Sequence, residues 1–155
     1  MMLRYLILFL AASVIAACDS DSADDMEKPM DDFQRNKAKW QAAAISDYRI
    51  QENLSCFCVG LLEWDVVVRD GQKDTLLFDE SRLWEGQTYE SVFEDARSIE
   101  EAFEFIANFE TDSVASFVVE YDEQYGFPVQ ISVDREEGLA DDEISYLYSN
   151  FEPEQ

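Results

Sequence analysis

The spacing of the apolar residues changes period along the chain, and this limits the fold more than any single motif. Tyr48, Ile50 and Leu54 lie on one side of a period-two pattern, with Arg49, Gln51 and Asn53 on the other. "WDVVVR" repeats the pattern with Trp64, Val66 and Val68. Such alternation marks a strand with one buried face. The period then turns helical. In "SIEEAFEFIANF", Ile99, Ala102, Phe103, Ile106 and Ala107 recur at i, i+3, i+4, i+7 and i+8. Ser98 and Glu101 have the spacing of a capping box. Alternation returns in "SVASFVVEYD", where Ala115, Phe117, Val119 and Tyr121 share a face. It continues in "FPVQISVD", through Phe127, Val129, Ile131 and Val133.

The connections support this reading. Asp70-Gly71 is a hairpin signal, and residues 122–126 make the turn between the two later strands. "EISYLYSNF" reads as a last strand. Near the start, Phe33, Trp40 and Ala44 recur at close to helical spacing. They predict a helix over residues 32–44, capped by Asp31 or Asp32, with Trp40 in the core. "DESRLWEGQTYESVFEDAR" has no clear period and predicts a long, partly irregular connection. There is no internal repeat. The order is helix, strands, helix, strands, with short links in the C-terminal half. That predicts an α+β domain: a mostly antiparallel sheet with helices packed on one face.

The chain opens with "MMLRYLILFLAASVIAAC". One charge, Arg4, precedes an apolar run from Tyr5 to about Val14. The run is shorter than the ~20 residues of a membrane-spanning helix and has the layout of a cleaved signal peptide. Ala16-Ala17-Cys18 resembles a bacterial lipobox. There, small residues fit a narrow peptidase pocket, and the cysteine thiol is diacylglycerated at the new N-terminus. Residues 1–17 are therefore expected to be a lipoprotein signal peptide and 18–31 an acidic flexible tether. Residues 32–155 are expected to be a single domain. Asp19 resembles an inner-membrane retention signal of enterobacteria-like sorting. The expected location is the cell membrane or the outer membrane, with the domain held by lipid on the periplasmic side.

Charge narrows the partners. With 35 acidic residues against 11 basic ones, the net charge is −24. Such a surface repels nucleic acid and anionic headgroups and favours cationic partners or divalent cations. The chain has no histidine, which removes Ser-His-Asp and Cys-His nucleophiles and histidine metal sites. No carboxylate pair stands out by spacing, so the domain is expected to be non-catalytic. "DREEGLADDE" packs six carboxylates into ten residues. Asp134, Asp141, Asp142 and Glu143 are its candidate calcium ligands, although the spacing is not that of an EF-hand. A solvated loop is the simpler reading, with Asp141 and Asp142 ordering the turn before the last strand.

Lipidation of Cys18 leaves Cys56 and Cys58, in "NLSCFCVG". Four chemistries are open to this pair: a disulfide, buried free thiols, metal ligation or redox exchange. On a straight strand both thiols would continue the apolar face of Tyr48 and Ile50, and Phe57 would face away. Their Cα atoms would then lie about 6.6 Å apart. That is at the limit for a disulfide, which would need a kink or bulge. An oxidising compartment favours the bond.

Several stretches together resemble a family of bacterial lipoproteins, the domain of unknown function 6174. They are "NKAKWQAAAISDYRI", "SCFC", "VVVRDGQ", a helix, "VEYDEQYGFPVQISVD" and "ADDEISY". The resemblance runs from Asn36 to about Phe151, and the order and spacing of the motifs are specific. Its landmarks fall on Trp40, Tyr48, Cys56, Cys58, Tyr121, Asp122, Gly126, Pro128, Asp134, Asp141, Asp142, Glu143 and Tyr146. After the second cysteine the family often has a proline-containing stretch, where this chain reads "VGLLEW". The resemblance implies no activity, cofactor or catalytic residue.

The functional expectation is a lipid-anchored, non-enzymatic envelope protein that binds a partner protein or ligand. Within "LWEGQTYESVF", Trp84 and Tyr89 are the candidate interface anchors, although burial over the sheet competes for Trp84. The alternative is an envelope thiol-disulfide or metal-binding protein acting through Cys56 and Cys58.

Overall fold

A computed structural model describes residues 29–139 and 141–154. The signal segment, Cys18 and most of the expected tether lie outside the described residues. Helix α1 (Pro29–Ala43) leads into β1 (Tyr48–Cys56), β2 (Glu63–Arg69) and β3 (Gln72–Leu77). Helices α2 (Tyr89–Asp95) and α3 (Ile99–Asn108) follow, then β4 (Ser116–Tyr121), β5 (Pro128–Asp134) and β6 (Ile144–Pro153). The six strands form one sheet in the order β3-β2-β1-β6-β5-β4, and every neighbouring pair is antiparallel. The α+β class read from the sequence is the one found.

The first and last strands pair at the centre of the sheet, and β3 and β4 are its two edges. The chain between β3 and β4 must therefore cross the sheet's whole width. It carries α2 and α3 as it does so, and they cover one face together with α1. The core lies between: Phe33, Trp40, Ala96, Ile99 and Phe103 pack on Tyr48, Ile50, Val66, Val68 and Ile131. Trp40 is 5 % exposed and meets Tyr48, Phe127 and Phe151 edge-on.

Local signals account for several element ends. Asp70 and Gly71 both take positive φ, at 50° and 72°, and close the β2–β3 hairpin beside the Arg69–Gln72 pair. Ser98 and Glu101 form the expected capping box at α3. Helix α1 begins earlier than expected, with Pro29 as its first residue, so neither Asp31 nor Asp32 caps it. Asp32 instead sits inside the first turns and accepts from Arg35 and Asn36. Ala44 lies past the helix end with φ 51° and is exposed.

The connection 78–98 is more ordered than its sequence suggests. It holds a short 3-10 turn (Glu80–Arg82) and helix α2. Thr88 and Ser91 cap α2 reciprocally, with serine in the place where a capping box usually has Glu or Gln. Seven residues are too few to display a helical period.

Candidate functional site

The β1–β2 hairpin ends in the two-cysteine loop. Leu54 N donates to Leu62 O at 2.7 Å, the last rung before the chain leaves the ladder. Cys56 ends β1 and is bonded to Cys58, with the Cα atoms 5.3 Å apart. This is closer than an extended strand allows, so the strand stops and turns, as a bond required. The buried face expected of a straight strand is absent: Cys56 is half-buried and Cys58 exposed. Phe57 stands 82 % exposed between them, and Val59 70 % exposed beyond.

A second loop is pinned to this one by a single side chain. Gln87 Oε1 accepts from Leu61 N at 2.8 Å and from Trp84 N at 2.9 Å. Its amide packs so closely on Gly60 that a Cβ there would lie 2.7 Å from Nε2. Gly60 also needs its φ of 130°. The loop of Trp84 and the loop of Phe57 are thus neighbours. Trp84 is 57 % exposed, so it is not buried over the sheet. Tyr89 is half-buried, stacked between Phe78 and Phe93, and its hydroxyl accepts from Leu76 N at 2.9 Å. That bond occupies a backbone donor on edge strand β3. Tyr89 therefore holds α2 to the sheet, and Trp84 alone of the two is presented.

Behind the loops lies a cleft of about 330 Å³, walled by Leu54, Leu61, Leu62, Trp64, Arg97 and Tyr146. Its floor rests on a buried carboxylate. Glu52 is 0 % exposed on the core face of β1, with Trp64 and Tyr148 as its direct cross-strand partners. Trp64 Nε1 and Arg97 N each donate to Oε2 at 2.8 Å, and Tyr148 OH donates to Oε1 at 3.0 Å. Burial pushes the Glu52 carboxyl above its ordinary range, against the pull of these donors and of the Arg97 charge. It likewise raises the Tyr148 hydroxyl. With its oxygens engaged and no exposed surface, Glu52 ties Trp64, Tyr148 and the Arg97 backbone together.

A parallel arrangement ties α1 and α3 to β1. Glu100 accepts from Trp40 Nε1 at 3.1 Å and from Tyr48 OH at 2.6 Å. The same hydroxyl accepts from Ile99 N at 2.8 Å. Burial and the Glu100 charge push the Tyr48 hydroxyl well up. Glu52, Arg97, Glu100 and Tyr148 were not singled out from sequence. Glu52 did carry a mark there, as a charged residue on the apolar face of Tyr48, Ile50 and Leu54.

A family model described as "Family of unknown function (DUF6174)" matches residues 32–153. The chain belongs to this family. No curated protein matches it, and no solved structure does.

In this DUF6174 domain many of the motif landmarks serve the fold. Trp40 and Tyr48 hold Glu100, as described. Asp122 Oδ1 accepts from Gln124 N and Tyr125 N, at 3.0 and 2.6 Å, shaping the β4–β5 turn. Gly126 in that turn has φ 80°, and a Cβ on it would lie 2.5 Å from Asn36 O of α1. The turn thus docks directly on helix backbone.

Asp134 ends β5, and Asp141, Asp142 and Glu143 precede β6. Asp142 Oδ2 accepts from Glu136 N at 2.9 Å and orders the acidic loop. Asp134 Oδ1 and Asp142 Oδ1 are buried without a hydrogen-bond partner among the described residues. Among the described residues no group of three or more His, Cys, Asp or Glu is arranged to hold a metal ion. Among them, too, no helix is long and apolar enough to cross a membrane.

Proposed function

We propose that the chain is a lipid-anchored bacterial envelope protein that works as a non-catalytic binding module. The lipobox-like sequence at Cys18 supplies the anchor, and the Cys56–Cys58 bond suits a compartment outside the cytoplasm. One observation carries the binding reading. Phe57, Val59 and Trp84, three of the large exposed apolar side chains, stand on two adjoining loops joined by Gln87. Keeping Phe57 in water forgoes about 1.5–3 kcal/mol of burial, which a partner recovers. The partner is a protein surface with an apolar recess and a basic rim. Glu85 and Asp95 lie near the loops on a chain of net charge −24, which repels anionic lipid.

A photo-crosslinking residue at Phe57 or Trp84, in cells of the host, tests this. Adducts are expected at both positions and not at Val118, which is 50 % exposed on the far edge strand. Equal yields at all three positions would remove the surface. Substitution of Cys18 by Ser is expected to abolish lipid labelling and release the protein from the membrane fraction.

A second reading rests on the exposure of Cys58 at the cleft rim. A partner thiolate attacking its sulfur would form a mixed disulfide and release the Cys56 thiolate. Alkylation-trapped mixed disulfides that disappear with Cys58→Ser would favour this role.

A further inference from the structure

We infer that the cleft beneath the disulfide loop binds a singly charged carboxylate carrying a compact apolar group, with Arg97 as the anion-binding residue. The inference deepens the binding reading of this end of the molecule, but its test uses soluble ligands and is independent of tip adducts.

Arg97 is held as a ligand-binding arginine would be. Its backbone lies between the end of α2 and the cap of α3, and its N–H is tied to Glu52 at 2.8 Å. Its guanidinium carbon lies 4.6 Å from the Phe105 ring centroid and 4.5 Å from that of Tyr146. Both rings favour the cation and fix its place. The nearest carboxylate oxygen, Glu52 Oε1, is 3.9 Å away, an ion pair too long for a hydrogen bond. Among the described residues no acceptor takes any of the five guanidinium donors. The side chain is 24 % exposed, and it lines the cleft. A planar cation with open donors facing a cavity suits bidentate recognition of a carboxylate.

The walls set the rest of the ligand. Leu54, Leu61 and Leu62 offer apolar contact, and about 330 Å³ is at the small end of ligand cavities. A branched aliphatic group fits better than a long chain. Asp95 also lines the cleft, so a dianion such as phosphate meets about twice the repulsion that a monoanion does. The same chemistry is offered by a free small acid and by the C-terminus of a peptide with an apolar last residue.

The test is a nuclear magnetic resonance titration of the full-length chain, following the Trp64 indole and Arg97 Nε signals. The probes are N-acetyl-leucine, its amide, and a tetrapeptide acid ending in leucine. Saturable shifts are expected with the acids, and binding of the amide weaker by roughly ten- to a hundredfold, the scale of charge-assisted hydrogen bonds. Arg97→Met is expected to lose the same factor. Leu62→Phe narrows the cleft, leaves Arg97 in place and is also expected to weaken binding, which keeps the test decisive if Arg97→Met does not fold. A peptide that binds more tightly than N-acetyl-leucine points to a chain terminus, and equal binding points to a free acid. The inference falls if the amide binds as well as the acid, or if Leu62→Phe binds as the natural chain does. It also falls if no acid gives a saturable shift up to ~10 mM, beyond any millimolar site.

Discussion

Glu52 and Trp64 are direct cross-strand partners on the buried face of the sheet, and the indole Nε1 donates to the carboxylate at 2.8 Å. The pair sits on central strand β1 and its neighbour β2, and Trp64 lines the cleft while Glu52 lies buried behind it. Tyr148 flanks Glu52 from the other side, and Arg97 N closes the set. One side chain therefore joins three strands to the α2–α3 link.

Removing that carboxylate strands three buried or part-buried donors. Glu52→Leu is expected to destabilise the fold by about 3–5 kcal/mol, since stranded donors and an unpaired Arg97 cost more than the new apolar contacts return. Urea unfolding at neutral pH measures it. A midpoint close to that of the natural chain would mean the network contributes little.

The same group gives a pH dependence of definite sign. An unfolded glutamate releases its proton at about 4.5, while burial keeps the folded Glu52 protonated to higher pH. Between those values unfolding releases a proton, so raising the pH favours unfolding. The contribution of Glu52 is fully present below the unfolded value and is lost as pH rises through the folded one. Many other carboxylates titrate in the same range, so the quantity to follow is a difference. Glu52→Gln does not titrate at that position. The stability of the natural chain relative to Glu52→Gln is expected to be greatest in acid and to shrink toward neutral pH. A constant difference would assign the carboxyl an ordinary affinity for its proton.

What the sequence discloses is what neighbours in the chain decide. Asp70-Gly71 fixes a hairpin by its own backbone freedom, and Ser98 with Glu101 starts α3 within one turn. The cleft is different. The donors to Glu52 lie 12, 45 and 96 residues away along the chain, so no local pattern pairs them. Nor does periodicity say that the first strand lies beside the last. The cysteine loop lies between these cases. Its residues are adjacent, but the straight strand drawn from alternation is overridden by the bond that ends it at Cys56.

Two glycines with positive φ separate strain from collision. Gly71, at φ 72°, has nothing within 4 Å of a Cβ, whereas at Gly126, φ 80°, a Cβ would meet Asn36 O at 2.5 Å. Gly71→Ala is expected to cost about 1–2 kcal/mol, the penalty of a left-handed alanine. Gly126→Ala adds a backbone clash and is expected to cost clearly more and to loosen α1 from the β4–β5 turn. Thermal unfolding ranks the two, and equal losses would mean that α1 yields without cost. The converse change, Ala44→Gly at φ 51°, is expected to stabilise by about 0.5–1 kcal/mol.

The Cys56–Cys58 bond has too small a loop to matter globally. Its ends are two residues apart, and the chain-entropy relation makes so short a closure worth less than ~2 kcal/mol. Its effect is local. It stops β1, turns the chain and keeps Phe57 in solvent above the cleft. Reduction is therefore expected to leave the core intact while hydrogen exchange rises across residues 55–62. Carboxylate binding at Arg97 is expected to weaken as the rim loosens. The oxidation state itself is read by mass after alkylating the unfolded chain, using protein starting at Asp19 and secreted to an oxidising compartment. Two alkyl groups are expected to add only after reduction. If two add beforehand, the pair is not bonded in that compartment, and Phe57 owes its exposure to Gly60 and Gln87 instead. If reduction unfolds the whole domain, the loop supports the core and the purely local role is wrong.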